Sequence, residues 1–335
     1  MHASHSGSKT LSPQGSRRRE VLAGLAAVVP LAGLAGFSAS AWAADPDKLR
    51  IGFQKSSTLT IFLKSRGVLE KALAPLGAAV QWHEFTSGLP LLEALNIGAL
   101  DISADVADAV PPFALAAGAR LTYYAIETPS PQAQAIVVPK DSPITSVAQL
   151  KGKKIAFAKG AGAHYLLLEA LVKNGLTIKD IEPAYLSPAD GRAAFESGNV
   201  AAWVIWDPFL AAVQRQSGAR LLQDGVGLSS YRRFYLAGTP YAQRRADVIA
   251  AVYTELQRAG AWIKANPAAA AEWNAPVIGL DAATVEAANL RRSYRVQPVD
   301  AEALAEQQRI ADAFTQAQII PRKVVVADSP VWRPA

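Results

Sequence analysis

From residue 49 onward the chain alternates short apolar runs with stretches of helical periodicity, through two successive cycles. No other feature constrains the fold as much. Short apolar strands joined by helices assemble most simply as a largely parallel sheet with helices on its faces. The first cycle places strands at 49–53, 80–85, 101–104 and 121–126, and helices at 60–76, 89–97 and 111–117. An unbroken apolar run, 134–139, carries the chain onward. The second cycle places strands at 154–158, 181–185, 201–206 and 220–223, and helices at 163–174, 188–197 and 208–217. A further apolar run at 233–238 reads as a return crossing, and beyond Tyr241 the pattern is helical: 246–265, 267–273, 282–292 and 301–317. A helical tail with no strands of its own must cover an existing sheet, and returning to the first is the simplest solution. The expected fold is α/β with two lobes, each a mostly parallel sheet flanked by helices, and two crossing strands as hinge. The lobes would comprise residues 44–135 with 239–335, and residues 136–238.

The first 43 residues read as an export signal. Ser16 and the pair Arg18-Arg19 precede Val21-Leu22, no charge interrupts the stretch from Val21 to Ala43, and Ala41-Trp42-Ala43 is a small-x-small cleavage pattern. The stretch is long enough to span a bilayer. Gly24, Pro30, Gly33 and Gly36 make it only moderately apolar, which suits a removable twin-arginine-type signal better than an anchor. Cleavage near Ala43 and a periplasmic working place are the expectation. Half of the net charge of +6 belongs to this leader; without it 30 basic residues face 27 acidic ones, which gives no argument for nucleic acid. The absence of cysteine excludes a lipid-anchored form, disulfides and thiol catalysis.

Ligands of open α/β sheets sit beyond the carboxyl ends of the strands, so two facing lobes would enclose a cleft lined by strand-to-helix loops. Three such loops are rich in hydrogen-bond donors. Gln54-Lys55-Ser56-Ser57-Thr58 follows the first strand and offers Gln54, Ser57 and Thr58. Thr86-Ser87-Gly88 follows the second, with Gly88 at the helix start. Lys159-Gly160-Ala161-Gly162-Ala163-His164 opens a helix whose first N–H groups, at Gly162 and Ala163, are free for an anion. An ordinary tight turn explains these glycines equally well. His164 is a candidate contact, although a lone histidine near a helix start is more often a structural hydrogen-bonder. Trp203 and Trp206 face opposite ways along one strand, which leaves Trp206 and Asp207 nearest the cleft; Asp207 reads equally as a cap for the helix after Pro208. Asp105 and Asp108 share a loop, but no partnered histidine or third carboxylate lies near them for acid–base work. No Gly-x-Ser-x-Gly elbow or Walker loop is present, and His83 and His164 are not spaced for a metal. No catalytic residue, cofactor or metal is expected.

Taken in order, several segments resemble the periplasmic aliphatic-sulfonate-binding proteins of ABC transporters. They are Ile51-Gly52-Phe53-Gln54-Lys55, Gly88-Leu89-Pro90-Leu91-Leu92-Glu93-Ala94-Leu95, Pro129-Ser130-Pro131, Lys159-Gly160 with Ala163-His164-Tyr165-Leu166-Leu167, Leu186-Ser187-Pro188-Ala189-Asp190, Trp203-Val204-Ile205-Trp206-Asp207-Pro208 and Ala305-Glu306-Gln307-Gln308. The resemblance runs from about Leu49 to Trp332 and is specific for the sulfonate, taurine and nitrate group rather than for one ligand. It implies a type II periplasmic binding fold and capture of a small organosulfonate in the cleft. It further implies delivery to an ABC permease driven by a cytoplasmic ATPase, a role that a monomer suits, with no catalysis. Two departures stand out. Relatives commonly carry two serines where this chain has Ala161-Gly162. Asp108 stands near the aspartate of their Gly-Asp-Thr/Ala-Pro-Pro loop at a different spacing, with Asp105 as a second negative charge. These changes leave room for a ligand that also carries a cation, such as an aminosulfonate. Nitrate or another small organic anion is the alternative ligand, and a desulfinase on the same fold the alternative class; the missing cysteine argues against the latter.

Overall fold

Residues 47–334 are described by the structure, a computed structural model; the expected export signal and its cleavage site lie outside them. The first cycle folds as β1 (Asp47–Gln54), α1 (Thr58–Ser65), α2 (Val68–Leu73), β2 (Ala78–Phe85), α3 (Gly88–Asn96), β3 (Ile102–Ser103), β4 (Val106–Ala107), α4 (Val110–Ala116) and β5 (Leu121–Glu127). The second gives β6 (Gln134–Val138), β7 (Lys154–Phe157), α5 (Gly162–Lys173), β8 (Glu182–Tyr185), α6 (Pro188–Glu196), β9 (Ala202–Trp206), α7 (Phe209–Ser217) and β10 (Arg220–Asp224). The remainder is β11 (Arg233–Gly238), α8 (Thr239–Arg244), α9 (Ala246–Ala265), α10 (Pro267–Ile278), α11 (Ala282–Arg291), β12 (Val296–Gln297) and α12 (Ala301–Gln316). The single helix expected at 60–76 is broken in two by Gly67, whose left-handed backbone (φ 58°) no β-branched or bulky residue adopts readily.

The strands form two sheets and the protein has two α/β lobes. The seven-stranded sheet runs β12-β5-β11-β3-β1-β2, with β4 beside β11, and the five-stranded sheet runs β10-β6-β9-β7-β8. Both are mixed rather than almost wholly parallel. β1 pairs in parallel with β2 and β3, and β7 with β8 and β9. β11 is antiparallel to β3 and β5, and β6 is antiparallel to β9. The reason is topological. The chain leaves one lobe at the carboxyl ends of its strands and enters the other at that same end. Its entering strand must therefore run away from the cleft, against its neighbours.

This geometry corrects the expected hinges. β6 and β11 are not crossings: each is buried and paired on both sides within one sheet, and β11 belongs to the seven-stranded sheet rather than to the second lobe. The passages between sheets fall just before them, at 128–133 and 225–232. These two passages bond to each other: Ser130 N–H donates to Ser230 O at 2.9 Å, Gly225 N–H to Pro131 O at 3.0 Å, and Gln134 Nε2 to Ser229 Oγ at 2.9 Å. Apolar continuity marks a strand buried on both faces and cannot itself mark a hinge.

One apolar cluster extends through both lobes, from Leu91 and Val106 through Ile136 and Leu166 to Phe314 on α12. Phe314 meets Phe113 of the first lobe and His164 and Tyr165 of the second, with ring centroids 5.0–5.9 Å apart. Of the C-terminal helices, α8 packs on β11 and α9 on β5 and β12 of the first sheet, and α12 seals one side of the junction. On another side α11 meets α7: Arg291 donates to both oxygens of Asp207 (3.1 and 3.2 Å) and to Gln214 (2.7 Å), and Arg215 Nε donates to Thr284 (3.2 Å).

Candidate functional site

A narrow cavity lies where the carboxyl ends of both sheets meet. Gln54, Gly88, Ala107, Val110 and Arg233 come from the first lobe, Ala161, Gly162 and Trp206 from the second, and Tyr231 from the return passage. About 230 Å³ of non-atom space lies among them, part of it open to solvent, with room for about one water molecule, so the lobes stand close together here. Larger grooves elsewhere, such as one between α5 and α12, lie away from the strand ends.

Two helices aim their N-termini here. α5 begins at Gly162 behind a cap, Ala161, that has no side-chain oxygen. Among the described residues the N–H groups of Gly162 and Ala163 have no hydrogen-bond partner. A free helix N-terminus carries partial positive charge and donors with fixed aim, the ordinary requirements of an oxyanion site. The N–H of Gly88, at the start of α3, is likewise unpartnered. Glycine is required at 162 because a Cβ would stand 2.5 Å from the Tyr231 ring and 3.1 Å from Ala107 Cβ. The Ala161-Gly162 departure thus lets the two lobes approach closely.

Arg233 was absent from the sequence candidates. It opens β11, is 3 % exposed, stacks 4.5 Å from the centre of the Tyr231 ring, and keeps an unpartnered Nε. Its Nη1 donates to Asp105 at 3.1 Å; the same carboxylate oxygen accepts from Arg292 at 2.8 Å, and Arg292 also binds Glu127 at 2.6 and 2.9 Å. Two arginines thus balance two carboxylates. Removing one member would leave an uncompensated buried charge, worth about 3–5 kcal/mol. The available signal was Arg232-Arg233 at the start of an otherwise apolar strand. A charge can open a buried strand only if partners await it.

The sequence candidates divide. Gln54, Gly88, Gly162 and Trp206 line the cavity. Gln54 donates its side-chain amide to Asp105 O at 3.0 Å, and its own N–H donates to Ser57 Oγ at 3.1 Å, so Ser57 holds the loop rather than lining the space. Trp206 faces the cavity while Trp203 packs on Phe195 and Gly191, as strand alternation requires. Ala163 is not among the residues that line the cavity. Thr58 and Asp207 border an adjoining cavity instead. Asp207 accepts from the Ala211 N–H at 3.0 Å, four residues on, and from Arg291; burial raises its pKa to about 6, with Arg291 opposing.

His164 and Asp108 are placed away from the cavity. His164 is fully buried among Phe113, Phe157, Tyr185 and Phe314; its Nδ1 accepts from Gly160 N–H at 3.2 Å. Burial, then Lys159, lowers its pKa to about 4, so it stays neutral at ordinary pH. Asp108 turns toward the start of β11 and α12, accepting from the Arg232 N–H at 3.2 Å. Burial, then repulsion from Glu306, raises its pKa to about 7. With Asp105 held by two arginines and Asp108 outside the cavity, neither carboxylate is placed to meet a ligand cation, which removes the motive for an aminosulfonate.

The NMT1/THI5 like family model matches residues 106–270. The aliphatic sulfonates-binding protein of Escherichia coli (strain K12) is 42% identical over 307 residues, covering 91% of this chain and 95% of that relative. This chain belongs to the aliphatic-sulfonate-binding family. Among solved structures, the alkanesulfonate-binding protein SsuA from Xanthomonas axonopodis pv. citri, bound to MOPS, superposes with a TM-score of 0.81 at 41% identity, over 87% of this chain and 99% of that one. The periplasmic aliphatic sulphonate binding protein SsuA from Escherichia coli gives 0.77 at 42% identity, over 86% and 98%. These relatives are binding proteins, and this chain is a binding protein rather than an enzyme. The likeness to the desulfurization enzyme DSZB, at 18% identity with a TM-score of 0.59 over 84% of this chain and 95% of that one, is one of fold alone.

Proposed function

We propose that this protein captures an organosulfonate in the inter-lobe cavity outside the cytoplasm and delivers it, as a monomer in the closed form, to an ABC importer for sulfur acquisition. The observation that carries the reading is convergence. Gly162, whose N–H is free, and Arg233, whose Nε is unpartnered, border one narrow space with Trp206, and the free N–H of Ala163 is the next along the same helix start. A sulfonate is ionised at any physiological pH, so it needs preorganised donors and no titrating partner. The four charged groups around Arg233 already balance. The ligand's charge is therefore met chiefly by helix ends and N–H donors, and the tail by Trp206 and Val110. Loops 128–133 and 225–232 are the hinge segments in this reading, and 1–43 is the export signal removed near Ala43.

Calorimetric titration with ethanesulfonate, octanesulfonate, taurine, an arylsulfonate, sulfate and nitrate tests it. Micromolar or tighter binding of an alkanesulfonate with no heat from nitrate is expected. Silence toward every sulfonate would overturn the ligand assignment.

A further inference from the structure

A second cavity, about 310 Å³ of non-atom space that includes open solvent and has room for about one water molecule, shares Arg233 as a lining residue with the first. Neighbouring residues on the same strand ends divide between the two: Gln54 and Trp206 face the first, Ser56 and Asp207 the second. A tail that passes Arg233 enters this space.

Its lining is incomplete as a hydrogen-bonded structure. Asn274 Oδ1, from α10, and Ser56 Oγ are buried (the residues are 1 % and 2 % exposed) and have no partner. An unpaired buried polar group costs about 1–3 kcal/mol, so such a pair is retained where something completes it. The charges decide what. Arg233 and Arg292 both border the space, while Asp207, its carboxylate, is already engaged by Arg291 and the Ala211 N–H. An ammonium would meet two guanidiniums with no free counter-charge. A purely alkyl tail would leave Asn274 and Ser56 unpaired. A neutral hydroxyl can donate to Asn274 Oδ1 and exchange a hydrogen bond with the Ser56 hydroxyl.

We propose that this second cavity is a tail subsite for hydroxyalkanesulfonates, with Asn274 and Ser56 as the residues that select the hydroxyl. The inference rests on the sulfonate-binding reading and names its substrate class. A site built to hydrogen-bond a substrate hydroxyl rejects the analogue that lacks it, because the site's own polar groups are then stranded.

The test is calorimetry with 2-hydroxyethanesulfonate, ethanesulfonate and taurine on the wild type, then on Asn274→Ala and Ser56→Ala. The hydroxyl compound is expected to bind at least tenfold tighter than ethanesulfonate, and taurine no tighter than ethanesulfonate. That ratio should fall below about threefold in either variant. Equal affinity of hydroxyl and alkyl compounds in the wild type, which needs no variant to fold, would overturn the subsite while leaving sulfonate capture standing. A ratio unchanged in both variants would overturn the role of these two residues. Silence toward all three ligands would instead sink the parent reading and the subsite with it.

Discussion

Asp108 shows how a residue that looks like a ligand contact in sequence becomes something else in three dimensions. Its carboxyl accepts one backbone N–H, from Arg232, while the Arg232 side chain is committed to Glu306 and Glu302, and Gln307 donates to the Asp108 carbonyl. Glu306 repels it, and Arg233 is the weaker opposing charge. The folded-state pKa, about 7, lies above the ordinary aspartate value of 3.8. The group therefore contributes stability that is full below pH 3.8 and is lost as pH rises through about 7. Asn cannot ionise, so Asp108→Asn should gain on the wild type between pH 4 and 7, by about 2–4 kcal/mol in all, with a plateau above. Urea denaturation across that range measures it; a difference constant with pH would contradict the account. The same contrast explains what was legible at this scale. Gln54, Gly88, Gly162 and Trp206 were readable because strand-to-helix position and strand alternation place them without knowledge of the tertiary pairing. Arg233 and Asn274 were not, because nothing local tells which distant element a buried polar side chain will face.

At the scale of elements, the alternation of strands and helices was plain in the apolar runs, and even the short 101–104 strand was found, as β3. The direction of β6 and β11 was not, since antiparallel entry follows from how the lobes connect and leaves no mark on an apolar run. The closure of α5 against the first lobe turns on one missing side chain. In Gly162→Ala the new Cβ would meet Tyr231 at 2.5 Å and Ala107 at 3.1 Å, wedging the helix start away from the first lobe. Alanine suits a helix better than glycine, so the fold should survive. Affinity for alkanesulfonate is expected to fall at least tenfold, and small-angle scattering with saturating ligand should show an open particle. Wild-type affinity together with a closed particle would refute the idea that this contact governs closure.

For the whole molecule, the account is of two lobes held shut around a space too small to admit a ligand without opening. Three contacts close it: the apolar seam through Phe314, the Arg291–Asp207 pair between α11 and α7, and the glycine contact at α5. Opening is expected at the paired passages 128–133 and 225–232, whose few hydrogen bonds can shift without breaking either sheet. The expected two-lobed architecture is present. The second lobe, expected at 136–238, differs at its end because β11 pairs within the seven-stranded sheet. The central claim is that the sulfonate is gripped between the N-terminus of α5 and Arg233. A crystal structure of the protein with ethanesulfonate tests it most directly. The account predicts sulfonate oxygens within hydrogen-bond distance, about 2.7–3.2 Å, of the Gly162 or Ala163 N–H and of the Arg233 guanidinium, with the ethyl group against Trp206. A sulfonate bound elsewhere, or one in the cleft that touches neither α5 nor Arg233, would contradict it.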